Sequence, residues 1–186
     1  MKKNICVFGG SVSGKNLENE KTAKIIGKII AENNFNIVFG GGENGIMGAV
    51  AQSGIENGAK TTGIIPNFLL KKDILDPAHS KIFNSKLIRT KTMHQRKKLM
   101  YDSSDGFLVL PGGIGTLDEC FEVLTWCQLN QIKNKNIGII NFKGYWDPLI
   151  NLINHIIKEE FMGMNNLNYF EEIKNLHMLN IFLKNI

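Results

Sequence analysis

A chain of 186 residues with 43% hydrophobic side chains can bury one core and is too short for two full domains, so one domain over residues 1–186 is expected. Its 22 basic and 17 acidic residues leave a net charge of +5, which favours anionic ligands without calling for nucleic acid; 21% charged residues with 11 Phe exclude a disordered chain. No apolar run approaches the roughly 18 residues of a membrane span, and no signal-peptide core follows Met1-Lys2-Lys3-Asn4, so no membrane partner and a cytoplasmic location are expected.

In chain order, apolar runs alternate with amphipathic segments: a strand at Ile5 to Phe8, a helix at Lys21 to Glu32, a strand at Ile37 to Phe39, a helix at Ile46 to Asn57 and a strand at Thr61 to Ile65. An irregular basic stretch is expected from Pro66 to Thr92. The alternation then resumes with a helix from Met93 to about Ser103, a strand from Gly106 to Leu110, a helix from Thr116 to about Asn130 and a strand from Ile137 to Asn141. Pro148 to Phe161 and two apolar pieces near Phe170 and Phe182 read as closing helices. Such alternation predicts an α/β fold: a three-layer, Rossmann-like domain whose mainly parallel sheet is covered by helices on both faces. Cys6, Cys120 and Cys127 form no CxxC pair and suit buried positions in a reducing compartment. His79, His94, His155 and His177 have no metal-ligand spacing, so no metal site is expected.

Three glycine-rich turns follow strands. Gly9-Gly10-Ser11-Val12-Ser13-Gly14-Lys15 has the spacing of a phosphate-cradling P-loop, but Asn16 stands where a magnesium-binding Ser or Thr is needed. It reads instead as a close-approach turn with Ser11 near a ligand. Gly40-Gly41-Gly42-Glu43-Asn44-Gly45 matches GxGxxG, yet the next strand ends Ile64-Ile65-Pro66-Asn67 with no acid for a ribose diol, which disfavours a nicotinamide cofactor. Pro111-Gly112-Gly113-Ile114-Gly115-Thr116 opens a helix, so its amides converge as an anion site. All three turns belong at the carboxyl edge of a parallel sheet, where together they predict a pocket for a phosphorylated, nucleotide-like molecule.

Two residues break the amphipathic pattern. Glu119 is three residues after Thr116; Thr-x-x-Glu is a capping box, but a carboxylate within a turn of the anion cradle also suits chemistry, ionised by the helix dipole. Glu122 follows one turn later on the same face, beside Leu117, Cys120, Phe121 and Leu124. Arg96 lies on the apolar stripe of Met93, Leu99 and Met100, where a buried guanidinium needs a phosphate or carboxylate. A nucleic-acid patch is disfavoured because the basic run of Arg89, Lys91, Arg96, Lys97 and Lys98 lacks interleaved aromatics apart from Tyr101.

The runs Gly40 to Gly48, Met93-His94-Gln95-Arg96-Lys97 and Pro111-Gly112-Gly113-Ile114-Gly115-Thr116-Leu117-Asp118-Glu119 resemble the LOG (LONELY GUY) family of cytokinin riboside 5′-monophosphate phosphoribohydrolases, once described as lysine decarboxylases. Thr125-Trp126 and Gly144-Tyr145-Trp146-Asp147 also look like family positions. The resemblance implies cleavage of the N-glycosidic bond of a nucleoside 5′-monophosphate of the N6-substituted AMP type, with Arg96 and Glu119 catalytic. It implies substrate contacts from Ser11, Gly42, Gly45, Met47, Met93, Lys97, Gly112, Gly113, Gly115, Thr116, Glu122 and Thr125. No cofactor is required, and a homodimer or higher homo-oligomer is implied. The alternatives are a general AMP or purine-nucleotide nucleosidase, or a non-catalytic nucleotide or molybdenum-cofactor carrier of related fold, which would need the cradles but not the Arg96 and Glu119 pair. Lysine decarboxylation is disfavoured, since no lysine sits in a recognisable cofactor-binding context.

Overall fold

The computed structural model describes residues 2–16, 18–70, 86–129, 131, 135–162 and 169–186. Seven strands, β1 (Asn4–Phe8), β2 (Asn36–Phe39), β3 (Thr61–Pro66), β4 (Lys86–Thr90), β5 (Gly106–Val109), β6 (Asn136–Ile140) and β7 (Glu171–Ile173), form one sheet. The sheet runs in the order β4-β3-β2-β1-β5-β6-β7 and every pair is parallel. Between them run α1 (Glu18–Glu32), α2 (Gly45–Glu56), α3 (Asn67–Leu70), α4 (Met93–Asp102), α5 (Ile114–Gln128) and α6 (Asp147–Lys158), and α7 (Leu176–Lys184) follows β7. Strand order reverses between β1 and β5, so the turns after β2, β1 and β5 stand side by side at the carboxyl edge.

The period-2 alternation of buried strands divides the core in two. Ile5 and Val7 of β1 and Leu108 of β5 face α1, α2 and α7, where Ile26, Ile30, Val50 and Phe182 cover them. Cys6 and Phe8, with Phe107 and Val109, face α4, α5 and α6 and meet Tyr101, Cys120, Val123 and Ile153. Caps place the helices: Thr92 accepts from the Gln95 amide at 3.2 Å to begin α4, and Asn175 accepts from Met178 at 3.0 Å to begin α7.

Two expectations are corrected. The piece near Phe170 is not a helix but leads into the edge strand β7, paired to β6 through Gly138 and Glu171. Phe170 packs on one face of the sheet and Ile173 on the other, and that alternation over three residues is too short to read as a strand. The stretch Pro66 to Thr92 is not irregular throughout, because it contains α3 and β4. As an edge strand β4 leaves Lys86 and Arg89 exposed and so looks polar in sequence. Residues 71–85 of that stretch, His79 included, lie outside the described residues.

Where α1 crosses α2 their backbones come close. A Cβ at Gly27 would overlap the Val50 carbonyl and stand 3.1 Å from the Gly54 nitrogen, and Ser53 donates its hydroxyl to the Lys24 carbonyl at 2.6 Å. Gly27→Ala must therefore push backbone against backbone. It is expected to cost about 1–3 kcal/mol by overpacking. Gly58→Ala, at φ +87° with open space around it, should cost only about 1 kcal/mol. Urea unfolding of both variants checks the contrast.

Candidate active site

Arg96 projects from the buried face of α4 and is only 7% exposed. Its Nε donates to the Ile64 carbonyl of β3 at 3.0 Å, and its Nη1 donates to Glu119 Oε1 at 2.8 Å. The other arm passes the end of β2, where a Cβ on Gly40 would overlap Nη2, so this glycine makes room for the guanidinium. A buried arginine thus finds a carbonyl and a carboxylate.

Glu119 is 6% exposed on α5. Helix α5 begins two residues before Thr116: Gly113 is the N-cap, in extended conformation, and Thr116 is the third helical residue. The capping-box alternative is thereby removed, because glycine caps the helix without a side chain and leaves the Glu119 carboxylate to Arg96. The helix dipole does not hold Glu119 in the ordinary carboxylate range. Burial pushes its carboxyl above the usual range, with Asp118 adding to the rise, while Arg96 and, less strongly, Lys97 oppose it.

The same seam pairs Lys97, on α4, with Asp118 at 3.0 Å and with Glu122, both on α5. The Tyr101 hydroxyl also donates to Glu122 at 3.2 Å. Lys97 is held above the ordinary lysine range: burial pulls it down, but the bonds to Glu122 and Asp118 outweigh that. Burial, then Glu122, raises the Tyr101 phenol.

The three glycine turns meet at the switch in strand order. The Gly10 amide donates to the Pro111 carbonyl at 3.0 Å, and the Met47 amide to the Gly10 carbonyl at 3.2 Å. Gly45, at φ +65°, packs so closely on the Ser11 backbone that a Cβ would collide with it. Met47 lies against Gly40 and Gly42, its Sδ and Cε 3.2 and 3.1 Å from where their Cβ atoms would stand. Thr116 folds back under Gly112, leaving Gly113 and Gly115 in open space at the helix start. Ser11 is exposed at the rim, and Met93 is half-buried at the first position of α4. Thr125 lies apart: it stands about 9 Å of helix beyond Glu119, exposed, with its hydroxyl donated to the Phe121 carbonyl at 2.7 Å. Lys15 is also exposed, and α1 starts only at Glu18, so the first turn lacks the strand-to-helix geometry of a P-loop.

Three residues of this arrangement were not among the expected site residues. Tyr145 donates its hydroxyl to the Gly112 carbonyl at 2.7 Å, steadied by buried Asn141, which accepts from the Trp146 amide. Tyr101 completes the Lys97 seam, and its place one position from the Arg96 stripe is a signal that could have found it. Gly40 makes room for the Arg96 guanidinium, a role that no local pattern reveals. Among the described residues no three His, Cys, Asp or Glu side chains gather as metal ligands, and no helix is long and apolar enough to cross a membrane.

A family model described as "Possible lysine decarboxylase" matches residues 47–180. A protein of Oryza sativa subsp. japonica, "Probable cytokinin riboside 5'-monophosphate phosphoribohydrolase LOGL6", is 38% identical over 161 residues, covering 87% of this chain and 62% of that protein. The "Bifunctional cytokinin biosynthesis protein" of Fusarium pseudograminearum (strain CS3096) is 39% identical over 173 residues, covering 86% of this chain and 35% of that protein. "Cytokinin riboside 5'-monophosphate phosphoribohydrolase LOG1" of Arabidopsis thaliana is 37% identical over 161 residues, with 87% and 73% covered. The chain therefore spans less than two thirds of the first two relatives. Among solved structures, the molybdenum cofactor binding protein of Rippkaea orientalis superposes with a TM-score of 0.68 at 20% identity, covering 99% of this chain and 96% of that one. The molybdenum cofactor carrier protein of Chlamydomonas reinhardtii gives 0.70 at 17%, covering 99% and 97%. At these identities the likeness is one of fold.

Removing Arg96 leaves a buried carboxylate without its cation. Arg96→Met is expected to cost about 3–5 kcal/mol near neutral pH. Because the folded Glu119 carboxyl already titrates above its unfolded range, and higher still without Arg96, its contribution is intact in acid and is lost as pH rises through the folded value. Urea unfolding of Arg96→Met at pH 5 and pH 8 should show the larger deficit at pH 8.

Proposed function

The chain belongs to the family described as "Possible lysine decarboxylase", and from that premise we propose that it hydrolyses the N-glycosidic bond of a nucleoside 5′-monophosphate, releasing free base and ribose 5-phosphate. The observation that carries this reading is the buried Arg96–Glu119 pair beside an open backbone cradle. The relatives named as cytokinin riboside 5′-monophosphate phosphoribohydrolases support an N6-substituted AMP as the substrate class.

In this reading the amides of Gly112, Gly113 and Gly115, with Thr116, hold the 5′-phosphate at the positive end of α5. Gly42, Gly45, Met47 and Met93 border the nucleoside, with Ser11 at the rim. As the bond from the sugar C1′ to the base nitrogen breaks, the ribose takes on positive charge. The Glu119 carboxylate stabilises that charge, orients a water at C1′ and accepts its proton as the C–O bond forms. A carboxyl raised by burial is a stronger base than an exposed one, which suits the last of these tasks. Arg96 holds Glu119 and its positive charge favours the departing base, which leaves with the electron pair of the broken bond and takes up a proton from solvent, while Glu119 gives the proton it accepted back to solvent. No step requires a metal or redox cofactor. The same reading has the chain act as one domain in the cytoplasm, as a homodimer or higher homo-oligomer.

The test is incubation with a panel of nucleoside monophosphates, with and without N6-substituents, and with the matching nucleosides, following free base by chromatography. Nucleosides lacking the phosphate should turn over about a hundredfold or more slowly, since the remote phosphate positions C1′. Equal rates would remove the cradle from the reaction. Glu119→Gln keeps an oxygen for Arg96 but loses the charge. It should fold and bind nucleotide while turnover falls about a hundredfold or more. Near-normal turnover in that variant would take the carboxylate out of the chemistry.

A further inference from the structure

The seam between α4 and α5 holds a second set of charges beside the reacting pair. Lys97 is 7% exposed, and its ammonium faces Asp118 Oδ1 and Oδ2 at 3.1 and 3.0 Å and Glu122 Oε2. A lysine has three donors, and these three oxygens match them, so its hydrogen bonds go to α5 and not to a substrate. Tyr101 adds a further bond to Glu122.

Charge balance makes this pairing matter to Glu119. The seam sets two cations, Arg96 and Lys97, against three carboxylates, Asp118, Glu119 and Glu122, an excess of one negative charge. The most buried of the three acids bears the cost of that excess most heavily. The groups facing Glu119 are Arg96, Lys97 and Tyr101 from α4, Asp118 from its own helix, and the buried thiol of Cys6 from β1. Burial raises both the Cys6 thiol and the Tyr101 phenol, so both stay neutral and only Arg96 and Lys97 favour the ionised carboxylate. Asp118 disfavours it.

Resting on the hydrolytic reading above, we propose that Lys97 is a positioning residue: by bracing α4 against α5 through Asp118 and Glu122, it holds Glu119 beside Arg96 in its charged form. Lys97 acts through Glu119 rather than on the substrate. Two substitutions then have opposite consequences. Lys97→Met removes a cation and leaves Asp118 and Glu122 uncompensated, so Glu119 should titrate at higher pH. Asp118→Asn removes a neighbouring negative charge, so Glu119 should titrate at lower pH. A brace with no electrostatic role predicts no such opposition.

The experiment follows the Glu119 carboxyl carbon by NMR, with carbon-13 glutamate, through a pH titration of the wild type and both variants. The same preparations are assayed for base release from the preferred nucleoside monophosphate. The Glu119 titration should move up by about one pH unit in Lys97→Met and down in Asp118→Asn. The acid limb of kcat should move with it, and KM should change little. If Lys97→Met does not fold, Lys97→Gln, which loses the charge but keeps donors for Asp118 and Glu122, takes its place and should show the same upward shift. Shifts that are absent, or of the same sign in both variants, overturn the proposal. Opposite shifts in a protein that releases no base would leave the role of Lys97 standing and sink the hydrolytic reading instead.

Discussion

Taking a guanidinium and a carboxylate out of water costs several kcal/mol per ion, which their attraction offsets only when the remaining donors and acceptors are also satisfied. The arrangement of the carboxyl edge follows from meeting that condition for Arg96 and Glu119. The Ile64 carbonyl takes Nε, Gly40 withholds a side chain from the path of Nη2, and α5 starts on Gly113 so that Glu119 lies a turn and a half inside the helix. Beneath the pair, Cys6, Val38, Ile64 and Cys120 belong to a core cluster with almost no exposure, which keeps water from the inner side.

The anion cradle is built from other material. It uses backbone amides at the switch in strand order and needs residues without side chains more than residues with them. Gly10 reaches the Pro111 carbonyl, Gly45 reaches the Ser11 backbone, and Tyr145 ties down Gly112 from the far side. The two halves have separable duties. In the proposed reaction the backbone cradle anchors the phosphate, whereas the charged seam adds a group that responds to charge developing on the bound sugar. The fold is shared with a molybdenum cofactor binding protein and a molybdenum cofactor carrier protein at 20% and 17% identity, and a fold does not fix a function; in this proposal the hydrolytic role rests on the seam.

How far the sequence could be read follows from where each signal is stored. Strands β1, β2, β3, β5 and β6 are almost wholly buried and carry short apolar runs, while the edge strands β4 and β7 are half polar or very short and are not legible. Arg96 was legible because an arginine on an apolar helix stripe has to be explained. Its partners were less so: Ile64 contributes a carbonyl, Gly40 an absence, and both come from strands distant in sequence. The start of α5 is hidden in the sequence because Thr116 and Glu119 carry the capping-box spacing, whereas the residue that caps the helix is a glycine with no side chain to announce it. Thr125 shows the reverse limit, a residue that matches a family pattern but whose hydroxyl is spent within its own helix.

The raised Glu119 carboxyl and its assignment to a developing cation are two consequences of one environment. A low dielectric penalises an isolated carboxylate, which raises its pKa, and it also magnifies that carboxylate's interaction with any positive charge brought close. In the resting protein the nearest such charge is Arg96, which limits the rise without abolishing it. When C1′ becomes electron-poor a second positive centre forms, and the carboxylate gains most at the point where bond breaking is furthest advanced. An exposed carboxylate would be more fully ionised at rest, but water would screen most of that gain. Catalysis depends on the difference between the two states and not on the comfort of either. Burial is therefore compatible with the proposed chemistry on one condition: that enough cationic charge stands near Glu119 beforehand to keep it ionised at working pH. In the proposed reaction that charge comes from Arg96 by direct contact, with Lys97 in the seam behind it.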